Sequence, residues 1–105
     1  MFRREDVAHI DLSDVTTGET LPNIAPGDIL RLEFMEPLGL TARGLAREMA
    51  VPPNRITGIL HNTRAITAPT ALLLARRFGT SAEFWMHLQT AYDLEEARRF
   101  TQVAA

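Results

Sequence analysis

Apolar and polar residues follow one pattern before about residue 25 and another after it. In residues 1–24 apolar side chains stand at irregular spacing among acids, and they include Val7, Ile10, Leu12 and Val15. Gly18 and Pro22 interrupt any regular element there. The pattern predicts an acidic, flexible arm that becomes ordered on a partner, with a plain disordered tail as the alternative. A short strand at 10–12, where apolar residues alternate with Asp11, also fits.

From Pro26 onward the apolar spacing is helical. Pro26 suits the first position of a helix, and Asp28 suits its first turn, where the helix dipole favours an acid. We expect Pro37 and Gly39 to end or kink this first helix. Its inward stripe consists of Ile29, Leu30 and Phe34.

Two shorter helices follow, joined by a tight turn at Ala50-Val51. Thr41 suits the N-cap of the second helix, and the third helix begins near Pro52 or Pro53. The apolar positions of these helices are Leu45, Ala46 and Met49 in the second and Ile56, Ile59 and Leu60 in the third. Two short helices joined by a turn of a few residues are the spacing of a helix-turn-helix unit.

Two further helices complete the expected fold. Thr67 caps the fourth, Pro69 lies in its first turn, and Gly79 ends it. Its inward residues are Ala71, Leu72, Ala75 and Phe78. Ser81 caps a fifth helix, with Glu83 in its first turn, that continues to Arg99. The chain is thus predicted to be all-α, with an arm at 1–24, a helical domain at 25–99 and a frayed tail at 100–105.

Composition restricts the class of protein. The 105 residues suffice for one small domain, and the absence of cysteine excludes disulfides and thiolate chemistry. No apolar run approaches the length of a membrane span, and the N-terminus lacks the apolar segment of a signal peptide. We therefore expect a cytoplasmic protein that does not bind a membrane.

Charge is distributed unevenly. Residues 1–36 carry three arginines against eight acids, a net charge of −5, whereas residues 37–64 carry four arginines against one acid, a net charge of +3. Residues 65–105 are balanced. An acidic region joined to a basic one indicates two different partners. All 11 basic residues are arginine, which suits phosphate and base-edge contacts, although genome base composition also explains the preference.

A catalytic function has little support in the sequence. The serines are Ser13 and Ser81, in the arm and at a helix cap. The histidines His9, His61 and His87 have no metal-ligand spacing, and no phosphate-binding glycine loop or dinucleotide fingerprint occurs. We expect no enzymatic activity, cofactor, metal or small-molecule substrate.

The helix-turn-helix spacing instead predicts contact with DNA. The first helix of such a unit crosses the phosphate backbone, and the second places its N-terminal residues at base edges. Arg43 is expected to face phosphate, and Asn54 and Arg55 to reach adenine and guanine. The other third-helix positions off the apolar stripe are Thr57, Gly58 and His61, and the phosphate candidates after it are Asn62, Thr63 and Arg64. Thr41 is a cap whose helix N-terminus also favours phosphate.

Structural alternatives compete with these assignments. Instead of contacting DNA, Arg55 could be solvated or form an ion pair with Glu48. Arg64 could instead bond to helix ends, and Asn54 could cap the N-terminus of the third helix. For the fifth helix, core or dimer packing is expected at Phe84, Trp85, Leu88 and Tyr92. A ligand-stacking role is the alternative for Trp85.

Several motifs resemble the HigA/VapI-type antitoxins of the Xre helix-turn-helix superfamily. They are PGDIL with EFMEPLGLT, then NRITGIL, RAITAPTALLLARRFGTSAEFWMHLQ and YDLE, within residues 21–97. The resemblance implies a five-helix, lambda-repressor-like domain with helices at Pro26–Leu38, Thr41–Met49 and Pro53–His61, the last being the recognition helix. It also implies a homodimer that binds palindromic operator DNA to repress its own operon, and that neutralises a basic, mRNA-cleaving ribonuclease toxin of the HigB type.

Three departures from the family pattern bear on DNA binding. Pro52-Pro53 stands where relatives often have Ser-Gln, Ala42 where they often have glutamine, and Asn62-Thr63 where they often have glycine-lysine. Each removes a hydrogen-bond donor or a charge, so a toxin-binding module with weakened DNA binding is one alternative. A stand-alone repressor without a toxin is another. The acidic arm is expected to contact the toxin or to modulate operator binding.

Overall fold

A computed structural model describes residues 21–104, with side chains to 101, and its described part contains five helices and no strand. The helix α1 comprises Pro26–Ile29, a π-helical stretch Leu30–Met35 and Glu36–Leu38. The others are α2 (Ala42–Met49), α3 (Pro53–Leu60), α4 (Ala68–Phe78) and α5 (Ala82–Ala104). The all-α prediction is confirmed for this part. The predictions for the arm fall largely on residues 1–20, outside the described residues.

The helix α1 continues through Pro37 because its middle turn is wider than an α-helical turn. Pro26 occupies the first helical position, as predicted, and Ala25 is the N-cap. The Glu36 N–H donates to the carbonyl of Arg31, five residues earlier, which is the π-helical pattern. A proline lacks the N–H that an α-helix needs, and the changed register accommodates it. The helix ends at Gly39, whose φ of 66° is left-handed and favours glycine.

The turn between α2 and α3 is held by backbone bonds. Ala50 takes a left-handed conformation with φ of 58°. The Val51 N–H donates to the carbonyl of Ala46 at 3.0 Å, which satisfies a carbonyl in the last turn of α2. Alanine pays a steric cost in this region, so the surrounding packing must hold the turn.

One hydrophobic core joins all five helices. Its buried members are Leu30, Met35, Leu45, Ala46, Met49, Ile56, Ile59, Ile66, Ala71, Leu74 and Trp85. Trp85 is fully buried, and its ring centroid lies 5.0 Å from that of Phe34. Its indole N–H donates to the Thr80 hydroxyl at 2.7 Å, so the polar edge of the ring is satisfied.

Two predictions for α4 and α5 were wrong, and a third, the cap at Thr67, was right in position but not in its bond. Leu72 is 63% exposed, and Leu74 takes the core position instead. Thr67 stands at the N-cap of α4, but its side chain makes no cap bond to the backbone and pairs with the Thr70 hydroxyl at 3.4 Å. The helix α5 does not stop at Arg99 but continues to Ala104. Ser81 does cap α5, accepting from the Phe84 N–H at 3.0 Å.

The residues before α1 run along α5. The Asn23 side-chain amide donates to the Tyr92 carbonyl at 3.1 Å and to the Glu96 carboxylate at 3.0 Å. Arg99 donates to the carbonyl of Leu21. The end of the segment predicted as a free arm therefore has fixed contacts with the helical domain.

Candidate nucleic-acid interface

The helices α2 and α3 pack together through buried side chains, so their outer faces stand at a fixed angle. Leu45 and Ala46 on α2 and Ile56 on α3 are fully buried. The helix α3 is further held by α1, because Gly27 lies against it. A Cβ at Gly27 would come within 2.1 Å of the Ile59 carbonyl oxygen. No sequence pattern singled out this close approach, although PGDIL contributed to the resemblance.

Thr41 fixes the start of α2. Its hydroxyl oxygen accepts from the Gly44 N–H at 3.0 Å, as the sequence predicted. Arg43 lies in the first turn with its side chain exposed. The positive end of a helix dipole and a nearby guanidinium together suit a phosphate.

The start of α3 uses proline in place of a polar cap. Pro52 is the N-cap, with an extended ψ of 145°, and no side chain bonds to the first turn. Pro53 takes the first helical position, where the missing N–H costs nothing. Asn54 is exposed, and its side-chain amide makes no cap bond and no other hydrogen bond within residues 21–101. The helix-cap alternative for Asn54 is therefore wrong.

Arg55 follows on the same turn and is half-buried. The alternative that it pairs with Glu48 is wrong, because Glu48 binds the guanidinium of Arg77. Within residues 21–101, Arg43, Arg47, Arg55 and Arg64 form no ion pair. Among the described residues, the helix-turn-helix region thus carries four guanidinium groups without an acidic partner.

Gly58 organises the loop that follows α3. Its carbonyl accepts from the Thr63 N–H at 2.8 Å, from the Arg64 N–H at 3.1 Å and from the Thr63 hydroxyl at 3.2 Å. A Cβ at Gly58 would lie 3.1 Å from the Cβ of Arg64. Asn62 takes a left-handed φ of 61°, which asparagine tolerates better than most residues. Gly58 and Thr63 therefore hold the loop that presents Arg64.

The ten predicted DNA-contacting residues fall in two groups. Seven have exposed side chains, and they are Thr41, Arg43, Asn54, His61, Asn62, Thr63 and Arg64. Three are half-buried on α3, and they are Arg55, Thr57 and Gly58. All ten belong to α2, to α3, to the cap of α2 or to the loop after α3.

Gln89 is a buried polar residue that the sequence reasoning did not single out. It is 8% exposed, and its carbonyl oxygen accepts from the Ile66 N–H at 2.8 Å. Its amide donates to Asp93 at 2.9 Å. The loop that carries Arg64 is thereby tied to α5. A glutamine among apolar residues near the middle of a helix was the available signal.

The residues expected in core or dimer packing divide as follows. Trp85 is in the core, as one of its two expected roles required. Leu88 is half-buried against the core, and Phe84, 36% exposed, packs against Trp85 with centroids 5.0 Å apart. Tyr92 is half-buried beside Asn23.

Two other kinds of site are absent from the described residues. Among residues 21–104, no group of histidine, aspartate and glutamate is arranged to hold a metal ion. None of the helices in the described part is both long and apolar enough to span a bilayer.

Comparison with known proteins agrees with this geometry. The helix-turn-helix family model HTH_3 matches residues 32–85. Virulence-associated protein I of Dichelobacter nodosus is 49% identical over 82 residues, which cover 78% of this chain and 76% of that protein. Antitoxin HigA-1 of Vibrio cholerae serotype O1 is 38% identical over 82 residues, covering 78% and 77%.

A solved structure has the same fold. It is that of the Pseudomonas aeruginosa antitoxin HigA with the higBA promoter, which superposes with a TM-score of 0.76 at 37% sequence identity. The match covers 79% of this chain and 90% of the Pseudomonas chain.

Proposed function

The chain belongs to the HigA/VapI-type antitoxins of the Xre helix-turn-helix family, a DNA-binding family of antitoxins and repressors, and on this premise we propose how it acts. We propose that it binds the operator of its own operon as a homodimer and neutralises a HigB-type ribonuclease toxin. The observation that carries the DNA-binding part is the set of four arginines on α2, α3 and the following loop, none of them paired within residues 21–101.

Each part of the helix-turn-helix unit has its own role in this proposal. Arg43 and the N-terminus of α2 contact phosphate on one side of the groove, and Arg64 contacts phosphate on the other. Asn54 and Arg55 reach base edges from the first turn of α3, where asparagine suits adenine and arginine suits guanine. Thr57 and His61 lie farther along α3, and Gly58 and Thr63 act by shaping the loop.

Dimerisation is proposed on the outer side of the C-terminal half of α5. A shallow groove there is lined by Leu94, Ala97, Arg98 and Thr101, and Leu94 is 47% exposed. Burial of such a stripe against a second copy would remove apolar surface from water. A dimer with two recognition helices is expected to bind half-sites about one helical turn apart.

Toxin neutralisation is supported by the family to which the chain belongs, since one relative is named an antitoxin. A toxin-binding module with weak DNA binding is the second candidate. The start of α3 favours it, because Pro53 lacks an N–H and no polar cap side chain is present.

Fluorescence anisotropy with the DNA upstream of the gene, at several salt concentrations, tests the proposal. We expect specific binding whose affinity falls steeply as salt increases, since phosphate contacts release counterions. Arg55→Ala should weaken specific binding about tenfold or more, in line with about 1–3 kcal/mol for one base-reading pair. Arg76→Ala is the matched control, because Arg76 is an exposed arginine on α4, outside the helix-turn-helix unit.

The two candidates give different results. If the wild type binds its upstream DNA no better than unrelated DNA, operator binding is excluded and the toxin-binding candidate is retained. If Arg55→Ala and Arg76→Ala weaken binding equally, the arginines act only through net charge and the base-reading role of α3 is wrong.

A further inference from the structure

Gly58 lies inside α3 and has no side chain there, although its backbone does not require glycine. The described glycines with a positive φ are Gly39 and Gly79, so Gly58 has an ordinary helical conformation. A glycine inside a helix is less favourable than an alanine, because it loses more conformational freedom on folding. The reason for glycine at this position therefore lies outside the backbone of α3.

The side chain of Arg64 lies where a side chain at position 58 would begin. A Cβ at Gly58 would stand 3.1 Å from the Cβ of Arg64 and 3.5 Å from its Nε. The Arg64 N–H donates to the Gly58 carbonyl at 3.1 Å, so the backbone of Arg64 is fixed to the same residue. Arg64 is exposed and forms no ion pair within residues 21–101. Its guanidinium therefore starts from the surface of α3, and no described acid neutralises it.

Position 58 belongs to the outward side of α3. Asn54, Gly58 and His61 are spaced i, i+4 and i+7, and residues with this spacing share one side of a helix. Asn54 and His61 are exposed, whereas the buried apolar residues of α3 lie on the opposite side. Four residues rise about 6 Å along a helix, so Arg64 adds a guanidinium one turn beyond Asn54 on the same side.

A phosphate contact alone does not account for this arrangement. Phosphates form the edges of the groove, and a loop residue can reach them without lying across the recognition helix. Base edges are reached from the helix that enters the groove. The missing side chain at Gly58 lets Arg64 lie against that helix, as a contact with a base requires.

We propose that Arg64 reads a guanine in the major groove from the position that Gly58 leaves open on α3. The inference rests on the proposed operator binding. Guanine presents the acceptors O6 and N7 in the major groove, and two N–H groups of an arginine fork match them. A guanidinium has five N–H donors, so the same side chain can also keep its phosphate contact. Gly58 is then a specificity-determining residue, because its missing side chain gives Arg64 access to the base.

Two substitutions in the full chain test the assignment. Arg64→Lys keeps the positive charge but loses the fixed fork, and Gly58→Ala adds a methyl group that pushes Arg64 away. The matched controls are Arg43→Lys, at the arginine assigned to phosphate, and Gly44→Ala, which adds a methyl group to α2. Anisotropy titrations with the DNA upstream of the gene, and with every single-base variant of it, give the base preference at each position. Thermal denaturation verifies that each variant is folded.

Arg64→Lys should lower the preference for guanine at one base pair about tenfold, as expected for the loss of one bidentate contact. The slope of log affinity against log salt should stay the same, because the charge is kept. Gly58→Ala should lower the preference at the same base pair, and the double variant should lose little more than Arg64→Lys alone, since both changes remove one contact. That base pair should differ from the one affected by Asn54→Ala. Both controls should leave every base preference unchanged.

Unchanged base preferences in Arg64→Lys, with a wild type that discriminates, would overturn the inference and leave the proposed function intact. Losses at different base pairs in Arg64→Lys and Gly58→Ala, or losses that add in the double variant, would also overturn it, because Gly58 would then act through contacts of its own. If the wild type binds its upstream DNA no better than unrelated DNA, operator binding is itself wrong and the inference falls with it.

Discussion

The helices α2 and α3 belong to one helix-turn-helix unit, yet they are held in different ways. The start of α2 is fixed locally, by the Thr41 hydroxyl on the Gly44 N–H. The start of α3 has no such bond and relies on the fixed φ of Pro53, whereas the other end of the helix, at Ile59 and Leu60, is held by contact with Gly27 of α1. The helix α2, which is proposed to cross the DNA backbone, is stabilised by a cap in its own sequence. The helix α3, which is proposed to read the groove, is stabilised by another helix, so its first side chains remain available for bases.

The largest effect should come from the contact that holds α3 from outside. Gly27→Ala places a methyl group about where the Ile59 carbonyl lies, so α1 and α3 must separate. We expect a loss of about 3 kcal/mol or more in the free energy of unfolding, at or above the usual range for overpacking. Chemical denaturation measures it. The matched control is Gly44→Ala on α2, where the added methyl meets only the Thr41 hydroxyl at 3.1 Å and alanine favours the helix. Equal losses in the two variants would mean that α3 is not anchored at Gly27.

A smaller effect should separate the DNA roles of the two helices. Arg43→Ala on α2 should weaken binding to all DNA sequences and reduce the slope of log affinity against log salt by about 1. Asn54→Ala on α3 should lower the discrimination at one base pair by about 1–3 kcal/mol with little change in slope. Anisotropy titrations with the operator and with single-base variants give both quantities. If Arg43→Ala alters base preference and Asn54→Ala alters only the slope, the two roles have been assigned in reverse.

The smallest changes in stability are expected from substitutions at the first residues of α2 and α3. Thr41→Ala removes a cap bond and should cost about 1 kcal/mol of stability, whereas Thr41→Ser should retain most of it. Pro53→Ala increases the conformational entropy of the unfolded chain and should lower the free energy of unfolding by about 0.5 kcal/mol. Thermal denaturation of the three variants ranks them. A Pro53→Ala loss larger than that of Thr41→Ala would show that proline contributes more than a side-chain cap in this fold.

The sequence predicted those parts of the fold that depend on local chemistry. Thr41 and Ser81 were recognised as caps because a hydroxyl before a helix has one nearby backbone partner. At Thr67 the same signal failed, since its hydroxyl pairs with that of Thr70. Three consecutive leucines in α4 left its inward register ambiguous, and Leu74 rather than Leu72 enters the core.

The parts that sequence reasoning missed depend on residues far apart in the chain. The contact of Gly27 with Ile59 and the bond from Ile66 to Gln89 exist only after the helices have packed. Neither has a periodicity to detect. For the candidate site, spacing indicated which residues share the helix-turn-helix unit, but it could not show that Glu48 is occupied by Arg77.

The bond between Gln89 and the Ile66 N–H has a thermodynamic consequence. It joins α5, the proposed site of subunit contact, to the loop that presents Arg64. If assembly of two subunits restricts the motion of α5, it also restricts the motion of this loop. Part of the conformational entropy lost on ordering Arg64 is then lost before DNA binds. Linkage is reciprocal, and operator DNA must then tighten the association of the subunits by the same factor. Through this one buried glutamine, a higher subunit concentration would raise the occupancy of the operator, and bound operator DNA would in turn stabilise the dimer.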